Sequence, residues 1–121
     1  MKYIMLIADE AGYWEKLPEG KRNEAMGRIG QWWADLAAKG KIAGGHQLQP
    51  AHTGTTVRVE NGKSSVSDGP MFLTDGPFSE AKETVGGYGI LEVANLDEAL
   101  AIARTWPSDA RLEVRPIIER M

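Results

Sequence analysis

The sequence predicts an α+β fold in which an antiparallel sheet carries two helices on one face. Three patterns lead to this prediction. Residues 2–8 form a short apolar run, which is typical of a buried strand rather than a helix. Residues 22–39 repeat apolar side chains at spacings of three and four, the period of an amphipathic helix. Residues 55–60 alternate with a period of two, as a half-exposed strand does.

The size and composition of the chain limit its class. Its 121 residues fit a single domain spanning 1–121, and its 42% apolar and 26% charged residues are ordinary for a globular protein. The formal charge of −3 argues against direct, non-specific nucleic-acid binding. The absence of cysteine excludes disulfides, thiolate nucleophiles and Cys-based zinc sites. No secretory leader pattern and no apolar stretch of about 20 residues occurs, so we expect a cytoplasmic protein without a membrane partner.

The first helix contains two glycines and is followed by a third. Gly27 and Gly30 each cost a helix about 1 kcal/mol relative to alanine, so we expect a close neighbour to pack over them. Gly40 follows the last periodic residue, at the position of a left-handed cap. A strand is predicted next, over residues 42–49, and it ends before Pro50.

The central part of the chain predicts a hairpin followed by turns. Asn61-Gly62 is a strong two-residue hairpin signal between the strand at 55–60 and a return strand at 63–67. Two Asp-Gly-Pro sequences follow, at 68–70 and 75–77, around the apolar segment 71–73. They predict two tight turns.

The second half of the chain predicts a strand, a helix and a strand. The strand at 86–93 carries glycines that would let another backbone approach. Asn95 and Glu98 form a capping-box pattern that begins a helix, and Pro107 ends it. The last strand is predicted at 112–118. The complete order approximates a ferredoxin-like β-α-β-β-α-β plan with an extra central hairpin.

The predicted sheet has an open face. Because both helices cover one side, the other side must be polar or be covered by a partner. Val57, Val59, Tyr88, Ile90 and Val114 cannot all point to the covered side. We therefore predict an open face apolar enough to pair with a second copy in a symmetric homodimer.

Short segments along nearly the whole chain carry a family resemblance. They are the start Met1-Lys2-Tyr3-Ile4-Met5-Leu6-Ile7, then Gly45-His46-Gln47-Leu48-Gln49-Pro50, Thr55-Thr56-Val57-Arg58, Asp75-Gly76-Pro77-Phe78 with Glu80-Ala81-Lys82-Glu83, Gly86-Gly87-Tyr88, and Val114-Arg115-Pro116. In this order they resemble the YCII-related proteins of the DGPF type. The Asp-Gly-Pro-Phe block followed by Lys-Glu and Gly-Gly-Tyr is the most specific part.

The resemblance implies a small bacterial cytoplasmic protein with a ferredoxin-like fold, usually assembled as a dimeric α/β barrel. It implies no settled activity. The wider group is suspected of enzymatic function through a His–Asp pair with the histidine on the first helix, but residues 21–40 of this chain contain no histidine. Residues 68–74 look like an insertion relative to typical members. Some relatives are associated with extracytoplasmic-function sigma factors, which implies a regulatory context.

The candidate catalytic residues are Asp75 and His46. Asp75 either forms a structural turn with Gly76 and Pro77 or acts as a base or ligand anchor. His46 either lies on the surface without chemistry or forms a His–carboxylate pair with Asp75 that titrates near neutrality. The two histidines and scattered carboxylates show no metal-ligand spacing, and the glycines show no dinucleotide-binding pattern, so we expect neither a metal nor a cofactor.

Three further residues are candidate ligand-binding groups. Lys82 and Glu83 either belong to a solvated charged loop or present a donor and an acceptor to a small polar ligand. Arg58 either binds an anionic group or pairs with a neighbouring glutamate.

Two functional hypotheses follow from these residues. In the first, the protein binds a small polar ligand in a cleft near Asp75, with or without catalysis. In the second, it is a non-catalytic protein-interaction module in sigma-factor-linked transcriptional regulation. The first requires a concave pocket, and the second requires an exposed apolar patch outside the dimer interface.

Overall fold

The computed structural model describes residues 1–73 and 82–119, which form two antiparallel sheets and helices packed against the larger one. The elements in chain order are β1 (Lys2–Glu10), α1 (Tyr13–Lys16), α2 (Glu19–Ala38), β2 (Ile42–Gln47), a 3₁₀ turn (Ala51–Thr53), β3 (Thr55–Glu60), β4 (Lys63–Asp68), β5 (Glu83–Glu92), α3 (Leu96–Ala103) and β6 (Arg111–Pro116). The predicted α+β class is confirmed.

The larger sheet has the strand order β2-β5-β1-β6, and every pairing in it is antiparallel. The central strand β1 therefore lies between two strands from the second half of the chain. Met5 marks its middle, because it lies opposite Gly89 on one side and Val114 on the other.

The core lies on one face of this sheet. Alternate residues of β1, namely Tyr3, Met5 and Ile7, belong to a single buried apolar cluster. Helix α2 contributes Trp32 and Leu36 to that cluster, and α3 contributes two alanines. Because consecutive strand residues point to opposite faces, Ile4 and Leu6 point away from both helices.

A tryptophan ring and the neighbouring backbone determine where glycine is needed in the sheet. Gly89 and Gly45 are paired neighbours on β5 and β2. A Cβ atom on Gly89 would lie 2.7 Å from Cη2 of Trp33. A Cβ atom on Gly45 would lie 2.6 Å from the Tyr88 carbonyl oxygen and 3.2 Å from Cη2 of Trp33. The prediction that the strand glycines admit another backbone is confirmed at Gly87, where a Cβ atom would lie 3.2 Å from the His46 carbonyl oxygen, whereas Gly89 admits an indole ring.

The first long helix differs from its prediction in two respects. It begins at Glu19 rather than at residue 22, because the chain turns into it at Pro18, whose carbonyl accepts a hydrogen bond from the Arg22 amide. The expectation that Gly27 and Gly30 lie under a close neighbour is wrong, since a Cβ atom on either would meet nothing within 4 Å. Gly40 has a φ of 70°, as predicted for the cap.

The second long helix begins with the predicted side-chain cap. Asn95 accepts a hydrogen bond from the Glu98 amide at 3.0 Å. The Glu98 carboxylate in turn accepts from the amide of Ala94 at 2.8 Å. The helix ends at Ala103, before Pro107.

The central hairpin, β3 with β4, forms a separate two-stranded sheet. Asn61 and Gly62 have φ values of 53° and 77°, as the predicted two-residue turn requires. The prediction of a half-exposed strand is wrong, because Val57 on β3 and its opposite neighbour Val66 on β4 are both exposed, and Val59 is 71% exposed. Gly69, in the first Asp-Gly-Pro sequence, has a φ of 102°. Its amide donates a hydrogen bond to the Gly54 carbonyl, which joins the two strands at the base of the hairpin.

Within residues 1–73 and 82–119, no helix has the length and apolar character needed to cross a membrane.

Candidate functional site

An irregularity in strand pairing lies at the end of β1. Ile7 is opposite Gly87, but Ala8 is opposite Val85, so Gly86 is an extra residue in β5. A Cβ atom on Gly86 would lie 3.4 Å from both carboxylate oxygens of Asp9. The bulge and the missing side chain together leave room for the Asp9 carboxylate beside the sheet.

The Asp9 carboxylate faces a cleft of about 200 Å³. The end of β1, the short helix α1, the first turns of α2 and the segment after β2 form its walls. A smaller hollow of about 30 Å³, the volume of one or two water molecules, lies between the sheet and α2. Both cavities share four lining residues: Asp9, Trp14, Gln47 and Gly86.

Helix α1 places an indole donor against this carboxylate. Gly12 precedes the helix with a φ of 83°, a conformation that glycine adopts without strain. Trp14 then donates a hydrogen bond from Nε1 to Oδ2 of Asp9 at 3.0 Å. The Tyr13 ring packs edge-on against the Trp14 ring, with centroids 5.3 Å apart.

The environment of Asp9 raises its pKa above the ordinary value. Burial is the largest cause, because a half-buried carboxylate loses hydration. The Trp14 hydrogen bond acts in the opposite direction, and the nearby carboxylates of Glu15 and Glu83 raise the pKa further. Asp9 therefore keeps its proton to a higher pH than an exposed aspartate does, which suits it to exchange a proton with a ligand.

The predicted catalytic Asp75 and the rest of its Asp-Gly-Pro-Phe motif lie outside the described residues, as does the second predicted turn. The described chain on either side of this segment is held close to the end of β1. The Leu73 amide bonds to the Glu83 carbonyl at 2.8 Å, and the Ala11 amide bonds to the Lys82 carbonyl at 2.7 Å.

Lys82 and Glu83 lie near the cleft but have protein contacts. Glu83 binds Arg111 through two contacts, from Nη2 to Oε1 at 2.7 Å and from Nε to Oε2 at 2.9 Å. The Lys82 ammonium lies 4.9 Å from the ring centroid of Phe72. Glu83 thus influences Asp9 through its charge while its carboxylate binds Arg111.

His46 and Arg58 make their side-chain contacts away from Asp9, although His46 also lines the smaller hollow that Asp9 adjoins. Nδ1 of His46 is 3.1 Å from the Tyr88 hydroxyl. Tyr88 is opposite Leu6, so this pair lies on the open face of the sheet, whereas Asp9 faces the helix side. Arg58 is on the exposed hairpin and pairs with Glu60 at 3.5 Å.

Sequence reasoning did not single out Asp9 as a functional residue. The predicted buried strand ended at residue 8, directly before Asp9, and no role was predicted for the residues between that strand and the helix at 22–39. The available signal was an acidic pair directly after a buried strand, followed by Gly12 and an aromatic pair.

The part of the chain that the structure describes contains no group of three or more His, Cys, Asp or Glu side chains arranged to hold a metal ion.

Comparison with known proteins identifies relatives of the chain. The family model of the YCII-related domain matches residues 1–120. An uncharacterised protein of Rhizobium meliloti is 37% identical over 108 residues, which covers 86% of this chain and 79% of that protein.

Proposed function

The chain belongs to the YCII-related domain family, and from that premise we propose that it binds a small polar ligand in the Asp9 cleft. Asp9 exchanges a proton or a hydrogen bond with the ligand, and the Trp14 indole orients the carboxylate. The ligand is still a small polar molecule, as in the first hypothesis, but the cleft that binds it lies at Asp9, at the end of β1, rather than near Asp75.

The observation that carries the proposal is the state of the Asp9 carboxylate. It is half-buried, its pKa is raised, and it lies where two cavities meet. Trp14 donates to Oδ2, and among the described residues no donor to Oδ1 is found. A carboxylate is costly to desolvate, so a concave site with an open acceptor favours a ligand that supplies the missing hydrogen bond.

The cleft offers further polar groups at fixed positions. Gln47 ends β2 and lines both cavities, and its amide nitrogen is 3.5 Å from the sulfur of Met26 on α2. The Gly86 carbonyl accepts a hydrogen bond from the Leu48 amide at 2.9 Å, which fixes the bulge. These contacts hold the cleft wall in place before a ligand arrives, and a preorganised site loses less free energy on binding.

The test is a thermal-shift screen of a metabolite library against three proteins. These are the wild type, Asp9→Asn and Asp35→Asn, the last being an exposed aspartate on α2 that accepts a hydrogen bond from Gln31. We expect a ligand that stabilises the wild type and Asp35→Asn but not Asp9→Asn. A ligand that stabilises all three proteins equally would place the site elsewhere, and a library without any stabilising compound would count against the proposal.

Asp75 enters the same screen as a separate variant. Asp75→Ala should abolish the ligand response if Asp75 anchors the ligand, which is one of the two roles that the sequence leaves open for it. A uniform loss of thermal stability with an unchanged ligand response would instead indicate a structural turn.

We also propose a ferredoxin-like subunit that dimerises through the open face of the large sheet. The strand order β2-β5-β1-β6 and the two long helices on one face support this plan. On the open face, Ile4 lies opposite Ile90, and Leu6 lies opposite Tyr88. Burying this apolar centre against a second copy would remove it from water.

Light scattering after size exclusion tests the dimer. Ile4→Glu should convert a dimer to a monomer, because it places a charge in the apolar centre of the interface. Ala34→Glu, on an exposed position of α2, is the matched control and should leave the mass unchanged. A monomeric wild-type protein would refute this assembly.

The hairpin favours a second candidate function, contact with another protein. Val57, Val59 and Val66 share one exposed face of β3 and β4. A photo-crosslinking amino acid at Val59 in cells should yield one defined adduct, whereas the same group at Arg58, on the opposite face, should not. Adducts of equal yield at both positions, or none at either, would reject this function.

A further inference from the structure

We propose that the Asp9 cleft takes a small organic cation, an alkylammonium or quaternary ammonium group, held between carboxylates and the aromatic rings of α1. The inference rests on the proposed function, because it names the class of ligand for the same cleft.

The charges lining the cleft favour a cation. Three carboxylates line it, those of Asp9, Glu10 and Glu15, against one described cationic side chain, that of Arg22. Lys16 approaches Glu10 at 3.8 Å, but both side chains are largely exposed, so this pair neutralises little of the field inside the cleft. The cleft therefore has an excess of negative charge.

The aromatic pair supplies a neutral surface that attracts cations. Tyr13 and Trp14 meet edge-to-face at an interplanar angle of 83°, and both line the cleft. The hydrogen bond from Trp14 Nε1 to Asp9 holds the indole ring next to the carboxylate. Aromatic rings and carboxylates that line one cleft both attract ammonium groups, since the ring quadrupole and the negative charge act in the same direction.

The electrostatics of Asp9 argue against an anionic ligand. Burial is the largest cause of the raised pKa of Asp9, and the charges of Glu15 and Glu83 raise it further. The Glu15 carboxylate, which lines the cleft, would repel an anion and attract a cation. A bound cation would favour the charged form of Asp9, so binding should release protons in the pH range where free Asp9 titrates.

Charge-matched probes test the inference by calorimetry at low ionic strength. The cations are choline, tetramethylammonium and butylammonium, and the control for choline is 3,3-dimethylbutan-1-ol, which has the same shape without the charge. Butyrate is the anionic probe. We expect at least one cation to bind about tenfold or more tightly than the neutral isostere and the anion, with affinity falling as salt is added. Equal affinity for choline and its neutral isostere, tighter butyrate binding, or no binding of any cation would overturn the inference.

Variants then locate the bound cation. Trp14→Leu removes the ring and should weaken binding about tenfold, whereas Trp14→Phe keeps a ring and should retain most of it. Glu15→Gln should weaken binding, and Glu60→Gln on the distant hairpin should not. Circular dichroism of each variant confirms that it is folded. Equal losses in Trp14→Leu and Trp14→Phe, or an effect of Glu60→Gln equal to that of Glu15→Gln, would overturn the inference.

The failure of this inference is distinguishable from the failure of the proposed function. If the library yields a neutral or anionic ligand whose response depends on Asp9, the cleft is a binding site and the assignment to cations is wrong. If neither the charged probes nor the library stabilises the protein, both fail.

Discussion

The Trp14 indole donates a 3.0 Å hydrogen bond to the carboxylate of Asp9, and it lines both cavities that this carboxylate adjoins. The bond spans five positions in the chain and joins the end of β1 to the helix that follows it. It stabilises the charged form of an otherwise poorly solvated carboxylate.

Removing this hydrogen bond should therefore raise the pKa of Asp9 further. In Trp14→Phe the burial and the neighbouring carboxylates remain, while the one contribution that lowers the pKa is lost. The measurement is a carboxyl ¹³C NMR titration of Asp9 in both proteins, with the exposed Asp35 as the internal control. An unchanged or lowered pKa in the variant would contradict the assigned role of Trp14.

Asp9 should also make the stability of the protein depend on pH. Because its pKa is raised in the native state, native Asp9 binds protons more tightly than Asp9 in the unfolded chain. The free energy of unfolding should thus fall as pH rises from the unfolded-state pKa through the native one. Asp9→Asn should remove this dependence and be the more stable protein at neutral pH. The measurement is urea unfolding across that range, and a pH profile identical to that of the wild type would refute the prediction.

Gly89→Ala should destabilise the protein by about 1–3 kcal/mol, as overpacking of a core does. The added Cβ atom would lie 2.7 Å from Trp33, whose ring is confined by Trp32 and Trp106 at centroid distances of 5.1 and 6.3 Å. Urea unfolding measures the loss. The control is to introduce Gly89→Ala into the Trp33→Leu variant. Leucine is smaller than tryptophan, so the added methyl group should lower the free energy of unfolding much less in that background. A neutral Gly89→Ala would show that the ring is not confined.

Gly27→Ala and Gly30→Ala should each stabilise the protein, by up to about 1 kcal/mol. Both positions are exposed on α2, and a Cβ atom at either meets nothing within 4 Å. The comparison is with Gly40→Ala, which should destabilise, because Gly40 has a positive φ. Thermal unfolding of the three variants and the wild type measures these changes in stability. A loss of stability in Gly27→Ala or Gly30→Ala would contradict the open surface seen at these two positions.

Asn95→Ala should cost about 1 kcal/mol, because it removes the side-chain acceptor for the first turn of α3. Asn95→Asp keeps an acceptor and should be close to the wild type. If both variants lose the same stability in urea, the cap is not the origin of the effect.

Features that depend on neighbouring residues could be read from the sequence. The Asn61-Gly62 turn needs only two residues that tolerate positive φ, and both have it. The capping pattern of Asn95 and Glu98 acts within a single turn of helix, and the structure shows its hydrogen bonds. The family resemblance rests on short segments in a fixed order, and membership of the YCII-related domain family is confirmed.

Features that depend on distant contacts were predicted poorly. The hairpin valines are exposed because, among the described residues, β3 has no packing partner on their face. The alternation of residues 55–60 predicts a strand but does not indicate whether another element covers it. The role of Gly89 depends on a tryptophan from another element.

The sequence by itself determined the α+β class, the order of the elements and the local signals that begin and end them, because these follow from side-chain period and backbone preference over a few residues. Only the tertiary structure decided that Asp9 faces a cleft and that His46 lies on the opposite side of the sheet. The physical reason is the pairing of β1 with β5, two segments far apart in the chain, because the bulge at Gly86 in that pairing makes room for the Asp9 carboxylate, which burial then partly deprives of water.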